Sequence, residues 1–128
     1  MERPEDRKVL YKFFSHKNNR NMYVHNRGAM EYAADLEEAP WVKSYETNVI
    51  LAPDRLSRIP MHVSDEDLST EWTTDFVITH VDGHRIVKEI VPKKCMADVS
   101  YLMRLEMSRR YWALDDDGTQ WMIVSVND

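Results

Sequence analysis

The sequence predicts a single α/β domain, and three observations lead to this prediction. The chain has 128 residues, of which 43% are hydrophobic and 30% charged, which is typical of one globular domain. Two segments carry apolar residues at helical spacing, and two β-rich segments flank Asp82-Gly83, a strong hairpin signature. We therefore expect a folded domain over residues 11–128, preceded by a polar N-terminal tail of residues 1–10.

The first half of the chain predicts an arm, a helix and a strand. Residues 11–27 are rich in Asn, His and basic residues, which favours an irregular arm or a short strand. A helix is predicted to begin near Asn26, and Pro40 ends its apolar pattern. Residues 42–51 alternate loosely and predict a strand. Residues 52–71 contain two prolines and an acidic run, and they predict a long loop with at most one short helical turn.

The second half predicts a hairpin, a helix and a final strand. The two hairpin strands are expected at residues 73–79 and 84–91. A broad apolar face at helical spacing predicts a helix over residues 97–114, in which the methionines belong to the core. The acidic run at residues 115–118 ends this helix, and residues 121–126 alternate as the last strand.

Composition narrows the classes of function. The net charge of −5 argues against a stand-alone, non-specific nucleic-acid binder, since such proteins are normally basic. It does not argue against a nuclease, because metal-binding carboxylates are themselves acidic. We expect no membrane association, since no apolar run approaches the roughly 18 residues of a membrane span, and the first dozen residues are too charged for a signal peptide. The single Cys95 excludes an internal disulfide and fits a cytoplasmic protein.

The length of the predicted hairpin loop decides whether the carboxylates of Asp75 and Glu89 lie on the same face of the hairpin. A two-residue loop would pair Val81 with His84 and place Asp75 and Glu89 on opposite faces of the hairpin. A three-residue loop would pair His80 with His84 and place the two carboxylates directly opposite each other on one face. Opposed carboxylates repel unless a cation lies between them, and a divalent metal is the usual reason for such an arrangement. The spacing leaves both registers open.

Five segments, in the same order, resemble TnsA-type transposon endonucleases. They are Ser15–Arg20 (SHKNNR), Asp35–Glu37 (DLE), Ser69–Ile78 (STEWTTDFVI), Leu105–Trp112 (LEMSRRYW) and Trp121–Val124 (WMIV). The last two are similar to the family's Leu-Glu-x-x-Arg-Arg-Tyr-Trp helix and to the strand that follows it. The resemblance implies a restriction-endonuclease-like fold, which is a mixed sheet flanked by helices.

The resemblance also implies an active site of the PD-(D/E)xK class. In this class a helix-borne Glu, a strand-borne Asp, a Glu or Gln, and a Lys gather Mg²⁺ or Mn²⁺ for phosphodiester hydrolysis. Asp75 occupies the Asp position and Glu89 the Glu or Gln position, so these two residues are the implied metal ligands. The helix-borne Glu position falls on Ala29, and the Lys position falls on Val91.

Glu31 and Lys93 are the nearest substitutes for the two missing groups, and they complete the predicted catalytic set. Glu31 lies two residues beyond Ala29, which corresponds to a rotation of about 200° around a helix. Lys93 keeps the strand parity of Glu89 but follows Pro92. Both residues are also compatible with ordinary surface charges.

Basic residues in two segments are the predicted DNA contacts: Lys17, Arg20, Arg27, Arg109 and Arg110. A polar arm would explain the first three equally well, and ion pairs with Glu106 would explain the last two. Three histidines, His62, His80 and His84, could approach one another. Because no Cys or HExxH spacing accompanies them, histidines on a sheet surface are favoured over a zinc site.

The sequence therefore leads to three functional hypotheses. The first is a TnsA-like DNA-processing protein, related to the metal-dependent endonucleases of transposition, with DNA and a transposase or other mobile-element proteins as its partners. The second is a catalytically inactive nuclease-fold module of a mobile element or phage, which binds DNA or another protein. The third, which the matching segments favour least, is an oligomerising structural protein that only resembles the family.

Overall fold

The computed structural model describes residues 10–62, 72–115 and 117–127. They form a mixed α/β structure, as predicted, with a four-stranded sheet, a two-stranded sheet and three α-helices. In chain order the elements are β1 (Tyr11–Ser15), β2 (Arg20–Val24), α1 (Arg27–Glu38), β3 (Val42–Ile50), α2 (Pro53–Leu56), β4 (Thr73–His80), β5 (Arg85–Pro92), a 3-10 turn (Lys93–Cys95), α3 (Val99–Ala113) and β6 (Gln120–Val126). Nearly all of the predicted tail, residues 1–9, and the second part of the predicted loop, residues 63–71, lie outside the described residues.

The four-stranded sheet has the order β3-β4-β5-β6. The first three strands form an antiparallel meander, and β6 runs parallel to β5. Helix α3 makes the crossover between the two parallel strands, which a tight turn cannot connect. Helix α1 packs on one face of this sheet, where Ala33 and Leu36 join Phe76 and Ile78 in one apolar cluster. Helix α3 packs on the opposite face.

The segment predicted as an irregular arm is a two-stranded antiparallel ribbon, β1–β2. Tyr11 pairs with Val24, and Phe13 pairs with Met22. These four side chains point inward and pack against the cluster beneath α1. The alternation of inward apolar and outward polar residues stabilises two strands here, although the Asn-rich connection between them obscures that alternation in the sequence. We call residues 11–24 the ribbon.

Helix α1 begins where the sequence predicts. The side chain of Asn26 accepts a hydrogen bond of 2.7 Å from the backbone N–H of Ala29, which is a standard N-terminal cap. Gly28 is required by packing, since a Cβ atom at this position would lie 2.6 Å from the Cβ of Val126. The first turn of α1 is thereby held against the end of β6.

The prediction for α3 is correct in position but partly wrong about its apolar face. Leu105, Met107 and Tyr111 are buried as expected, whereas Val99 is 73% exposed and Met103 54% exposed. Among the described residues, Leu51, Leu56 and Ile59 pack on the second half of α3, against Met107, Tyr111 and Trp112. The first turns of α3 therefore expose methionine and valine side chains that the sequence assigned to the core. Within the described part of the chain, no helix has the length and apolar character needed to cross a bilayer.

The β4–β5 hairpin has the three-residue loop. The backbone N–H of His80 donates to His84 O at 2.9 Å, and Gly83 N–H donates to His80 O at 2.9 Å. Gly83 has φ +100°, a left-handed conformation that favours glycine. The strand register, with Phe76 opposite Lys88, belongs to this loop and excludes the alternative two-residue loop.

Candidate functional site

The two predicted metal ligands meet where the β4–β5 ladder ends. Regular pairing runs as far as Phe76 and Lys88, so Asp75 and Glu89 are the next residues in register. Here each carboxylate accepts a backbone hydrogen bond from the other strand. Asp75 N–H donates to Glu89 Oε1 at 3.0 Å, and Ile90 N–H donates to Asp75 Oδ2 at 2.7 Å. The structure therefore brings Asp75 and Glu89 together and makes both part of the backbone hydrogen bonding.

A local distortion of the sheet accompanies this arrangement. The pairing between β3 and β4 skips Asn48 and Asp75, and Asn48 has φ +53°. A non-glycine residue in this left-handed region is uncommon and is most easily tolerated by Asn. The Asn48 side chain donates to Tyr23 O at 2.8 Å, so that the distortion is tied to the ribbon.

Glu89 is completely enclosed between the sheet and α3, with 0% of its surface exposed. Its Oε2 atom accepts hydrogen bonds from Thr74 Oγ1, at 3.1 Å, and from Ser108 Oγ. Two indoles orient these hydroxyls: Trp112 Nε1 donates to Thr74 Oγ1 at 2.8 Å, and Trp121 Nε1 donates to Ser108 Oγ at 3.2 Å. Both carboxyl oxygens of Glu89 therefore have protein hydrogen-bond donors.

The same enclosure changes the protonation of Glu89. Burial raises the pKa of this carboxyl above its ordinary value, and the nearby charge of Asp75 raises it further. The hydrogen bonds from Ser108 and from the Asp75 N–H act in the opposite direction without cancelling the increase. A carboxyl must lose its proton to bind a metal ion, and without a cation Glu89 favours its protonated form more than an exposed glutamate does.

The two positions at which the resemblance implies a Glu and a Lys are packing positions in this chain. Ala29 is 4% exposed and belongs to the cluster beneath α1. Val91 is 0% exposed and packs with Tyr101 and Leu105 of α3, on the other face of the sheet. Each small apolar side chain thus fills space between a helix and the sheet.

The two predicted substitutes are exposed, whereas Glu89 is enclosed. Glu31 is exposed on α1 and lines an open cleft with Arg27 and Ser125, on the face of the sheet opposite to α3. Lys93 is exposed in the 3-10 turn after β5. Glu31, Asp75 and Glu89 do not form a group of three side chains whose ligand atoms lie within 4.8 Å of one another.

The predicted DNA contacts of the first segment have different environments. Lys17 Nζ donates to Ala39 O at 2.7 Å and to Val42 O at 2.6 Å, so this cation stabilises the end of α1. Arg20 and Arg27 are exposed at the end of the ribbon and at the start of α1. Two of the three basic side chains therefore reach solvent.

Arg109 and Arg110 form ion pairs with Glu106, which the sequence analysis gave as the alternative to DNA contacts. Arg109 Nη2 and Arg110 Nε each lie 2.6 Å from Glu106 Oε2. The hydrogen bonds from Arg109, which have the largest effect, and the hydrogen bond from Arg110 lower the pKa of Glu106 to about 2. Arg110 also donates to Pro60 O. Both guanidinium groups thus stabilise the surface of α3.

The outward face of the ribbon is a surface that sequence analysis missed. Phe14 and Tyr23 are 49% and 41% exposed. Lys12 lies opposite Tyr23, and Asn21 lies opposite Phe14. Residues 11–30 contain four Lys or Arg residues and no Asp or Glu, although the whole chain carries a net charge of −5. The acid-free composition was visible in the sequence, but only the pairing of β1 with β2 places both rings on one face.

A single carboxylate, Glu37, fixes the turn of the ribbon to the body of the domain. Glu37 Oε2 accepts hydrogen bonds from Ser15 Oγ, at 2.6 Å, and from the Tyr45 hydroxyl. Glu37 Oε1 accepts from the backbone N–H groups of His16 and Lys17 at 3.1 and 3.2 Å. Partial burial raises the pKa of Glu37, but these four hydrogen bonds outweigh it, so the pKa lies below the ordinary value of 4.5.

Replacing Glu37 with alanine is expected to lower the free energy of unfolding by about 2–3 kcal/mol at pH 7, since it removes charge-assisted hydrogen bonds and leaves their donors unsatisfied. Because the pKa of Glu37 is lowered by folding, its contribution is present above pH 4.5 and declines as the pH falls below that value. Urea unfolding at pH 7 and at pH 3.5 measures both effects. The exposed neighbour Glu38→Ala is the control, and an equal loss in both variants would contradict the assigned role of Glu37.

The chain thus presents two features with chemical potential. One is a hydrogen-bonded carboxyl pair, in which Glu89 is enclosed and Asp75 is partly exposed, and the other is an exposed ribbon with basic and aromatic side chains. In comparisons with known proteins, no protein-family model matched the chain, and neither did any curated protein. The interpretation of function consequently depends on the residues described above.

Proposed function

We propose that this chain is a DNA-binding module, related in fold to the TnsA-type nucleases, whose carboxylate pair is structural rather than catalytic. The observation that carries the proposal is the outward face of the ribbon, where Phe14 and Tyr23 are exposed beside Lys12 within a segment free of acidic residues. The DNA would belong to a mobile element or phage, and a transposase or another protein of that element would supply any cleavage.

The order of elements supports a nuclease-related fold. Helix α1, the antiparallel meander β3–β5, helix α3 and the parallel strand β6 build a mixed sheet with helices on both faces. This is the general arrangement implied by the resemblance to TnsA-type endonucleases. The segment LEMSRRYW forms the second half of α3, and β6 follows it, as that resemblance also implies.

The environment of Glu89 supports a structural role for the carboxylate pair. Its oxygens accept hydrogen bonds from Asp75 N–H, Thr74 and Ser108, and its side chain has no surface accessible to water. A hydrated Mg²⁺ ion needs open coordination positions and an ionised ligand. The positions of the missing helix Glu and strand Lys are occupied by the buried Ala29 and Val91.

The ribbon has the two properties that binding to single-stranded DNA requires. Aromatic rings that reach solvent can stack on unpaired bases, and each such contact is worth about 1–3 kcal/mol. Cations beside the rings attract the phosphate backbone. Lys12 is opposite Tyr23 on the same face of the ribbon. Arg20 is exposed near the turn, on the face that carries Met22, where its Nε contacts Met22 Sδ at 3.3 Å. Unpaired or distorted DNA is therefore the favoured ligand.

A metal-dependent DNA endonuclease is the second candidate, and one specific observation favours it. Asp75 and Glu89 are opposite each other, in the register in which two strand-borne carboxylates would share Mg²⁺. In this alternative the Glu89 side chain would have to leave its hydrogen bonds with Thr74 and Ser108 when DNA and metal bind. Glu31 and Lys93 would then be the remaining candidates for the catalytic set.

The double charge reversal Lys12→Glu with Arg20→Glu tests the proposal. We expect the affinity for a fluorescein-labelled oligonucleotide, measured by anisotropy, to fall at least tenfold, with a smaller slope of log K against log [salt], because about two phosphate contacts are lost. The matched control is Arg58→Glu with Lys94→Glu, which changes the net charge equally at exposed positions outside the ribbon. Equal weakening by both pairs would show a non-specific charge effect and would contradict binding through the ribbon.

A further inference from the structure

The hairpin loop between β4 and β5 brings together three side chains that can bind a metal ion. His80 and His84 pair across the loop, and Asp82 lies at its tip. One ligand atom from each residue lies within 4.8 Å of the other two. Among the residues that the structure describes, this is the only group of three or more His, Cys, Asp or Glu side chains that meets this distance.

The ligand atoms of these side chains lie close together at the loop. Asp82 N–H donates to His80 Nδ1 at 3.1 Å, a hydrogen bond that a metal ion on this nitrogen would replace. Asp82 Oδ1 lies 3.2 Å from the same nitrogen and also contacts His84 Nδ1. In a tetrahedral zinc site with bonds of about 2.0–2.1 Å, neighbouring ligand atoms are about 3.3 Å apart. The separation of His80 Nδ1 from Asp82 Oδ1 therefore already matches that of two ligands of one ion.

The surroundings hold this arrangement while leaving it open to solvent. The backbone N–H of His84 donates to Asp82 Oδ1 at 3.0 Å, which fixes the carboxylate above the loop. The His80 ring stacks on His84, with centroids 4.6 Å apart, and on Trp41, with centroids 5.7 Å apart. The Asp82 side chain is 59% exposed. The adjacent cation Arg85 is engaged by Asp115 and Asp117, 3.0 and 3.1 Å from its Nη2.

We propose that His80, Asp82 and His84 form a binding site for a transition-metal ion of the Zn²⁺ class. Two imidazole nitrogens and one carboxylate oxygen suit Zn²⁺, Ni²⁺ or Cu²⁺ rather than Mg²⁺, which prefers oxygen ligands and octahedral hydration. The ion takes the place of the proton between His84 Nδ1 and Asp82 Oδ1, and solvent completes its coordination. The site is separate from the Asp75–Glu89 pair and does not depend on DNA binding.

Calorimetric titration of the full chain with ZnCl₂ at pH 7.5 tests the site. We expect one Zn²⁺ per chain, no binding of MgCl₂ at this loop, and a loss of zinc affinity of at least about tenfold in His80→Ala, His84→Ala and Asp82→Asn, since even the loss of a group that only supports a ligand costs 10- to 100-fold. Asp82→Asn keeps an oxygen that can accept from His84 N–H, so the loop is preserved. The control is His62→Gln, a histidine outside the hairpin.

Imidazole ¹⁵N chemical shifts provide a second measurement on the same samples. Zinc should shift the ring nitrogens of His80 and His84 and leave those of His62 unchanged. The proposal is overturned if the wild type does not bind Zn²⁺, if the three loop variants bind it as tightly as the wild type, or if His62→Gln loses binding to the same extent.

Discussion

Replacing both Phe14 and Tyr23 with alanine is expected to lower the affinity for single-stranded DNA by at least about 30-fold, because two stacking contacts of about 1–3 kcal/mol each are lost. Both rings are exposed on the outward face of the ribbon, so their removal creates no cavity in the core. The thermal stability of the double variant should therefore remain close to that of the wild type. Fluorescence anisotropy with a labelled oligonucleotide measures the affinity.

Two controls separate stacking from other effects of this double substitution. Ile50→Ala with Val99→Ala removes two apolar side chains that are even more exposed, 59% and 73%, from other surfaces, and should leave DNA binding unchanged. The salt dependence of binding should also be unchanged in the aromatic variant, since no cation is removed. If Phe14→Ala with Tyr23→Ala binds as tightly as the wild type, the ribbon is not the DNA-binding surface.

Substitutions of Glu89 are expected to change the free energy of unfolding differently, depending on whether alanine or glutamine replaces the side chain. Glu89→Ala leaves a cavity and removes the partner of Thr74 and Ser108, and it should lower the free energy of unfolding by about 2–4 kcal/mol. Glu89→Gln keeps the shape, and its amide can accept from Asp75 N–H and donate to the two hydroxyls. At pH 7 we expect Glu89→Gln to be at least as stable as the wild type.

The pH dependence of the free energy of unfolding shows whether the protonated or the ionised form of Glu89 stabilises the fold. Because folding raises the pKa of Glu89 above 4.5, its favourable contribution is complete below pH 4.5 and is lost as the pH rises through the raised value. In Glu89→Gln this decline should disappear. Urea unfolding of both proteins between pH 4 and pH 8 measures the difference, and a Glu89→Gln variant that is clearly less stable at pH 7 would show that the ionised carboxylate is the stabilising form.

From α1 onward the order of the main elements could be predicted because each has a local signal, whereas the ribbon β1–β2 was expected as an irregular arm or a short strand. Asn26 and Pro40 mark the ends of α1, and Asp82-Gly83 marks the β4–β5 hairpin. The register of that hairpin could not be chosen from the sequence, since loops of two and three residues both contain Asp82-Gly83. Only the three-residue loop brings His80 opposite His84 and gives the observed register, with Phe76 opposite Lys88.

The environment of the candidate site depends on contacts between distant segments. The carboxyl of Glu89 is enclosed by Thr74 of β4 and Ser108 of α3, which lie 15 and 19 residues away in the chain. No local pattern predicts these contacts. The environments of the basic side chains could not be predicted either. Lys17 and Arg20 belong to one basic segment of the sequence, yet Lys17 binds backbone carbonyls at the end of α1 and Arg20 remains exposed.

The most direct test of a DNA-binding module without catalysis measures the affinity of the wild type for one labelled single-stranded oligonucleotide, first in EDTA and then in Mg²⁺. We predict that binding does not require Mg²⁺, which should weaken it if anything because it competes for the phosphates, and that the DNA remains intact on a denaturing gel after long incubation with Mg²⁺ or Mn²⁺. Binding that requires the metal, together with cleavage that is abolished in Glu89→Gln, would contradict this account and establish the Asp75–Glu89 pair as the active site of a nuclease.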